Sequence, residues 1–273
     1  GELSDVFGIL DRMKVRENYR VDHMLTWSNG WGHKFSEFIE GATIPIGSVQ
    51  NNFFKGEMSV RAGTLAFISH FRSMQPTHPI LFHEGSRPVL YEEWTLNERK
   101  LIPFLASYCE ATGLDLIVCG HGSQKSGPEY KYFENLIGKR KWRFLPRVDS
   151  YDSYRNVDGA EFVVSMDSSL GYESFARGKR TAFCSIRGEI LGSKAFRFGW
   201  PLSLPDKGPF WTIHPDENEF KRVLDYVTSV SEMDWERVRR EIAPDLIEYD
   251  PGNTILLDFL CKIGVAVIDK NLS

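Results

Sequence analysis

The chain has 273 residues, of which 42% are hydrophobic, 26% charged and 13% aromatic, the proportions of an ordinary soluble globular protein with core enough for one or two domains. Thirty-three basic against 37 acidic residues give a formal charge of −4, which argues against a dedicated nucleic-acid binder and leaves room for a local basic patch. Disorder, collagen and coiled coil are excluded as the main architecture by the same composition.

Val21–Trp27 reads as a strand and Lys34–Ile39 as a short helix; Trp27–His33 between them reads as a Gly-flanked aromatic loop. Ile44–Gly47 is a short strand that runs into a polar loop, Ser48–Asn52. Thr64–Ser69 is a continuous apolar run of strand length, and His83–Pro88 a polar loop in which a His beside a Glu is equipped for acid–base work. Glu92–Thr112 has helical spacing, with Trp94, Leu101, Phe104, Leu105 and Tyr108 able to share a face and Gly113 as the stop. The remaining strands are Leu114–Cys119, Trp142–Leu145, Glu161–Ser165 and Thr181–Ser185. The remaining helices are Glu129–Ile137, Tyr151–Val157, Leu170–Arg177, Asp216–Ser229, Asp234–Arg240 and Asn253–Ile263.

From Thr64 onward, strands alternate with helices, and the strands are apolar throughout rather than at every second residue. That pattern predicts an α/β fold, a doubly wound parallel sheet covered on both faces. Such a sheet binds its ligand at the carboxyl ends of its strands. The loops to inspect are therefore Ser69–Ser73, Gly120–Lys125, Pro146–Asp149 and Ser165–Ser169. Residues 1–60 supply too little for a second full sheet, so the expected organisation is a partial N-terminal segment, 1–60, followed by a Rossmann-like domain, 61–273.

Cys109, Cys119, Cys184 and Cys261 lie far apart with no metal-ligand spacing and read as reduced thiols. Asp258 and Lys262 break the apolar stretch Ile255–Ile268, so it cannot span a bilayer, and Gly1–Asp5 does not begin a signal peptide. The expected location is cytoplasmic, with at most peripheral contact at the inner face of a membrane.

The segment Glu161–Ser185 carries the chemistry. A buried strand ends at Ser165, and the turn Asp167–Ser168–Ser169 opens a helix whose amides and dipole favour an anion. Ser168 and Ser169 add donors suited to phosphate, and Gly171 permits close approach to the first helical turn. Glu173, one turn on, would repel phosphate but can accept hydrogen bonds from the vicinal hydroxyls of a ribose. Read without a ligand, the same residues are an N-cap and a solvated first-turn acid. His70 and Arg72, after the first strand of the sheet, and His121, between two glycines after the second, are candidates for contact with the reacting groups. Leu145 and Arg147 follow the third strand, and the paired aromatics Phe210–Trp211 could stack on a sugar or base.

The run DSSLGYESFARGKRTAF at 167–183 resembles the C-terminal, donor-binding domain of GT-B glycosyltransferases. Related patterns occur in nucleotide-sugar epimerases of that fold and in the glycerol-phosphate polymerases of teichoic acid synthesis. The phrasing is most similar to transferases of bacterial surface carbohydrate (capsule and O-antigen) biosynthesis, as are Ile46–Asn52 and the stretch from Phe198–Pro201 to Lys207–Thr212. The resemblance spans Val21 to Leu260, with only the Ser-Ser…Glu segment diagnostic.

It implies a GT-B fold, a nucleotide-sugar donor as substrate, CMP- or UDP-linked, and no cofactor beyond it. It further implies a glycan acceptor, lipid-linked ones included, and no nucleic acid as partner. Ser168 and Ser169 would hold the donor phosphate, Glu173 the ribose, main-chain groups of Leu145 and Arg147 the base, and Arg72 the charge of the leaving group. Phosphate-loop, dinucleotide-fingerprint, nucleophile-elbow and zinc-protease motifs are lacking, and Asp149–Asp152 has the wrong spacing for a metal-binding D-x-D, in keeping with metal-independent chemistry. Epimerisation or hydrolysis of a nucleotide sugar, polyol-phosphate transfer and a non-catalytic binding module remain open alternatives.

Overall fold

A computed structural model describes residues 19–56, 59–72, 79–84, 86–122, 124 and 126–265. Ser73, His78, Gly85, Ser123, Lys125, the first eighteen residues and 266–273, all within segments read above, lie outside the described residues.

The chain begins with β1 (Arg20–Thr26), α1 (Asn29–Ser36), β2 (Glu40–Pro45) and the one-turn α2 (Val49–Phe53). β3 (Arg61–Ile68) follows, then the hairpin β4 (Ile80–Glu84) and β5 (Arg87–Leu90) and the long α3 (Tyr91–Thr112). Next come β6 (Asp115–Cys119), α4 (Pro128–Ile137), β7 (Trp142–Leu145), α5 (Asp152–Asp158), β8 (Ala160–Ser165), α6 (Ser169–Ala176) and β9 (Arg180–Cys184). After α7 (Arg187–Ile190), the pair β10 (Lys207–Gly208) and β11 (Trp211–Thr212) precedes α8 (Glu217–Ser229), α9 (Glu232–Leu246) and α10 (Thr254–Lys262).

The main sheet has seven strands in the order β10-β11-β9-β8-β3-β6-β7, all parallel except β10. Without β10 this is the doubly wound order 3-2-1-4-5-6, in which the winding direction reverses between β3 and β8. Alternate residues serve opposite faces. Leu65, Phe67, Leu116, Val118, Phe162 and Val164 enter the larger core with α3, α4, α6, α8 and α9. Ala66, Ile68, Ile117, Cys119 and Val163 enter a smaller core with Val157 of α5. Both faces are covered, which is why these strands read as unbroken apolar runs.

The first segment is a separate two-stranded parallel sheet, β1–β2. The end of the chain returns to it: Glu248 N–H donates to the Trp27 carbonyl at 2.7 Å, and the His23 and Phe259 rings meet edge-on at 4.9 Å. Asn52 joins the two crossings. Its amide nitrogen donates to Ile46 O (2.8 Å) and Asn253 Oδ1 (3.0 Å), while its oxygen accepts from Asp250 N (3.1 Å). Gly47, at φ +70°, lets the outgoing chain pass the Glu248 carbonyl, which a Cβ there would overlap. Arg177 ties α2 to the main sheet: it pairs with Asp158, donates to Asn51 Oδ1 and lies over the rings of Phe54 and Tyr154.

Six readings change. Lys34–Ile39 is not where the first helix lies; α1 starts at Asn29, inside the expected Trp27–His33 loop, because Ser28 Oγ caps it by accepting from Trp31 N. β2 begins at Glu40 rather than Ile44 because it pairs along β1, and Ser48–Asn52 is the cap and body of α2 rather than a loop. His83–Pro88 belongs to the β4–β5 hairpin, where His83 pairs with Pro88 and Glu84 with Arg87. Phe210 and Trp211 are buried, 0% and 6% exposed, and anchor their strand to the core, so neither ring is presented to a ligand.

Replacing Asn52 by Ala strands three buried main-chain or amide partners, and the expected loss of unfolding free energy in a denaturant titration is about 3 kcal/mol.

Candidate functional site

The carboxyl ends of β3, β6, β7 and β8 surround one polar cleft of about 250 Å³. Ile68 and Ser69 come from β3 and its loop, Cys119, Gly120 and His121 from β6, Arg147 and Ser150 from the loop after β7, and Ser153 and Tyr154 from α5. Ser168, Ser169, Leu170 and Glu173 form the wall after β8, and Gln50 of α2 closes the opposite side. The four loops expected from topology thus meet at the reversal between β3 and β8, where the two neighbouring βα connections leave in opposite directions and open a crevice.

Ser168 is the N-cap of α6, but its side chain caps nothing, and the first turn carries no acid. The first residues of α6, Ser169 and Leu170, and the two serine side chains stand at the cleft. Ser168 N–H itself donates to Ser165 Oγ at 3.3 Å, which fixes the turn to the strand end. Glu173 lies one turn along the same wall, 5% exposed. Beside it, burial and then the Glu173 carboxylate push the Tyr154 hydroxyl above the usual tyrosine range. Gly171 serves packing rather than ligand approach: a Cβ there would overlap the Ser165 side chain, so only glycine lets α6 lie this close to β8.

Glu129, at the start of α4, organises the opposite loop. Its Oε1 accepts from Ser69 Oγ (2.5 Å) and His121 N (2.9 Å), and its Oε2 from Gly122 N (2.9 Å). One buried carboxylate thereby binds the β3 loop to the β6 loop and leaves the exposed His121 side chain at the cleft. Leu145 and Arg147 are placed differently from expectation. The Leu145 carbonyl already accepts from Gly120 N (2.8 Å), and Arg147 N–H donates to Gly122 O (3.0 Å). These two main-chain groups hold the β6 and β7 loops together. Arg147 still lines the cleft, and Leu145 packs into the smaller core.

His70 and Arg72 do not line the cleft. His70 joins a charged cluster next to it with Asp167 and Arg187, and the exposed Arg72 lies at the edge of that cluster. His70 Nδ1 lies 3.3 Å from Asp167 Oδ1, and its Nε2 is buried with no hydrogen-bond partner among the described residues. Burial outweighs the attraction of Asp167, with Arg187, His121 and Arg72 acting in the same sense as burial, and lowers the His70 pKa to about 4. The imidazole is therefore neutral at neutral pH. Arg72 lies over the rings of Trp94 (4.5 Å) and Phe82 (5.3 Å). Arg187, whose side chain is fully buried, pairs through Nη1 with both oxygens of Asp167 at 2.6 and 2.7 Å. Burial acts to raise the Asp167 carboxyl, but Arg187, His70 and Arg72 outweigh it and hold the group below the usual range. On α3, burial acts against Arg187 and a hydrogen bond from Tyr132 and leaves the Glu98 carboxyl above the usual range.

Of the nine residues singled out by sequence, the cleft unites His121, Arg147, Ser168, Ser169 and Glu173. Sequence reading does not reach Glu129, Tyr154, Gln50, Asp167 as an ion-pair partner, or Arg187. Glu129 looks like any first-turn acid behind a proline, and Arg187 like any surface arginine; only their burial gives them away. Among the described residues no group of three or more His, Cys, Asp or Glu is placed to hold a metal ion, and no helix is long and apolar enough to cross a membrane.

Residues 1–263 match the model of a protein family described as "putative O-antigen biosynthesis protein". No curated protein matches the chain in sequence. Solved structures that resemble it are distant. Sucrose-phosphate synthase from Thermosynechococcus elongatus aligns over 94% of this chain and 62% of its own, at 13% identity and TM-score 0.47. A "putative UDP-N-acetylglucosamine 2-epimerase" from Listeria monocytogenes aligns over 83% and 55%, at 10% identity and TM-score 0.45. UDP-GlcNAc 2-epimerase from Neisseria meningitidis, bound to UDP-GlcNAc, aligns over 76% and 45%, at 9% identity and TM-score 0.37. The chain spans about half of the length of these structures, and likeness at this level identifies neither substrate nor reaction.

Because the folded pKa of His70 lies below the ordinary value of 6.5, the unfolded chain takes up that proton first as pH falls. Stability is expected to fall between pH 6.5 and about 4, with His70 responsible for about 3 kcal/mol. Unfolding titrations across that window should show a shallower acid slope in His70→Gln than in the wild type. Gly171→Ala should lower unfolding free energy by about 2 kcal/mol through overpacking against Ser165.

Proposed function

We propose that this chain, which belongs to the family of O-antigen biosynthesis proteins whose model it matches, is the donor-binding part of a GT-B glycosyltransferase. It would move a sugar from a nucleotide-activated donor to a bacterial surface polysaccharide acceptor. The observation that carries this reading is the wall Ser168–Ser169…Glu173: phosphate donors at an uncapped helix start, and a carboxylate one turn away in the same cleft. That separation of donors from an acceptor suits a nucleotide, whose phosphate takes hydrogen bonds and whose ribose gives them.

In this reading the phosphate sits at Ser168, Ser169 and the first-turn amides of α6, and Glu173 accepts from the ribose hydroxyls. The base lies toward Arg147, Ser150 and Tyr154, with Gln50 over it from the N-terminal segment. His121 lines the cleft, and Arg72 lies outside it, on Trp94. As the bond from sugar to phosphate breaks, charge grows on the phosphate. Fixed donors at the helix start stabilise that charge more than they stabilise the ground state, and this differential lowers the barrier. In this reading residues 1–60 are the partial N-terminal segment, which lends Gln50 to the cleft, and 61–273 are the donor-binding domain.

Isothermal titration with CMP, UDP, CDP and GDP tests the reading. One nucleotide should bind selectively, and Ser169→Ala and Glu173→Ala should each weaken it about tenfold, the loss of one charged hydrogen-bond pairing. Absence of binding by all four, in protein that unfolds cooperatively, overturns it.

A further inference from the structure

Arg187 is a cation that the proposed reaction does not use. Its side chain has no exposure and does not line the cleft. Its guanidinium sits on the Trp94 ring, 3.6 Å from the centroid, and only Nη1 has hydrogen-bond partners among the described residues, both of them oxygens of Asp167. Asp167 immediately precedes the two serines at the cleft. A carboxylate in that place is a liability for anion binding, since it stands within one residue of the donors and is itself largely withdrawn from water, 11% exposed. The other groups facing it act more weakly than Arg187. His70 is neutral at neutral pH, and the exposed Arg72 is a weaker influence than Arg187.

We propose that Arg187 is a positioning residue whose task is to cancel the charge of Asp167 and so make the Asp167–Ser168–Ser169 turn acceptable to an anionic ligand. The pair also fixes the turn in place: Asp167 is anchored from the start of α7 by Arg187 and from the β3 loop by His70, so the loops on both sides of the β3–β8 crevice converge on one carboxylate. Trp94 on α3 supplies the flat face that holds the guanidinium at the right height. This inference rests on the reading of the cleft as a nucleotide site.

The test is a charge cycle, read by titration with whichever of CMP, UDP, CDP and GDP binds the wild type tightest. Arg187→Gln leaves Asp167 without its paired cation and should weaken binding about tenfold. Asp167→Asn leaves Arg187 as a net cation and should tighten binding several-fold, with the ligand phosphate as the new counter-charge. The double variant removes both charges and should return to within about threefold of wild type. A purely structural role would not produce tightening in Asp167→Asn. Weaker binding by Asp167→Asn overturns the proposal even if Arg187→Gln fails to fold, and so does a double variant that melts like wild type yet binds as poorly as Arg187→Gln. If the wild type binds none of the four, the nucleotide reading itself falls and this inference with it. If it binds and the cycle fails, only the role given to Arg187 falls.

Discussion

A parallel sheet has to be buried on both faces, and nearly everything else in this protein follows from that. Leu65 and Phe67 serve one face of β3 while Ala66 and Ile68 serve the other, so helices must lie on both sides. Each strand then leaves the sheet at its carboxyl end, and the polar loops collect along one rim. Where the winding reverses, between β3 and β8, two loops leave in opposite directions and a crevice opens between them. No residue has to be specialised to create that opening. The specialised residues only line it.

What lines it is governed by charge held away from water. Three carboxylates, Glu129, Asp167 and Glu173, are nearly buried at or beside a cleft whose helix start favours anions. Each has a different arrangement around it. Glu129 is surrounded by Ser69 Oγ and two backbone amides and acts as an internal anchor for two loops. Asp167 is matched by Arg187. Glu173 faces the cleft beside Tyr154 and is the one that can meet a ligand's hydroxyls. A buried carboxylate is tolerated only where donors or a cation surround it, so these surroundings separate structural acids from one available to a ligand.

The N-terminal segment bears on the site through its junction with the main sheet rather than through its own fold. Asn52 holds the outgoing and returning crossings of the chain together, and Arg177 fastens α2 to α5 and α6 through Asp158 and the Phe54 and Tyr154 rings. Gln50 reaches the cleft from α2, and its amide donates to the Ser150 carbonyl at 3.2 Å. The wall that Gln50 forms is therefore only as well placed as that buried polar junction.

Apart from the β4–β5 hairpin and the short α7, β10 and β11, the order of elements from Thr64 to Ser229 was legible in the sequence because apolar runs of strand length and helical periodicity are local properties of the chain. So was the Asp167–Glu173 turn, because hydroxyls, a glycine and an acid at those intervals have a recognisable use. The same local reading failed for α1 and β2, whose limits depend on Ser28 as a cap and on pairing with β1, and for Phe210 and Trp211, which sequence cannot place inside or outside. It could say that His70, Arg72 and Asp167 follow strand ends. It could not say that Arg187 would lie under Asp167 or that burial would neutralise His70, since those outcomes depend on distances between residues twenty to a hundred positions apart. The sequence by itself determined the parallel sheet and the rim where a ligand belongs; which charged groups face that ligand, and which are matched within the protein, was decided only by tertiary packing, because electrostatic free energy depends on burial and separation that no spacing along the chain encodes.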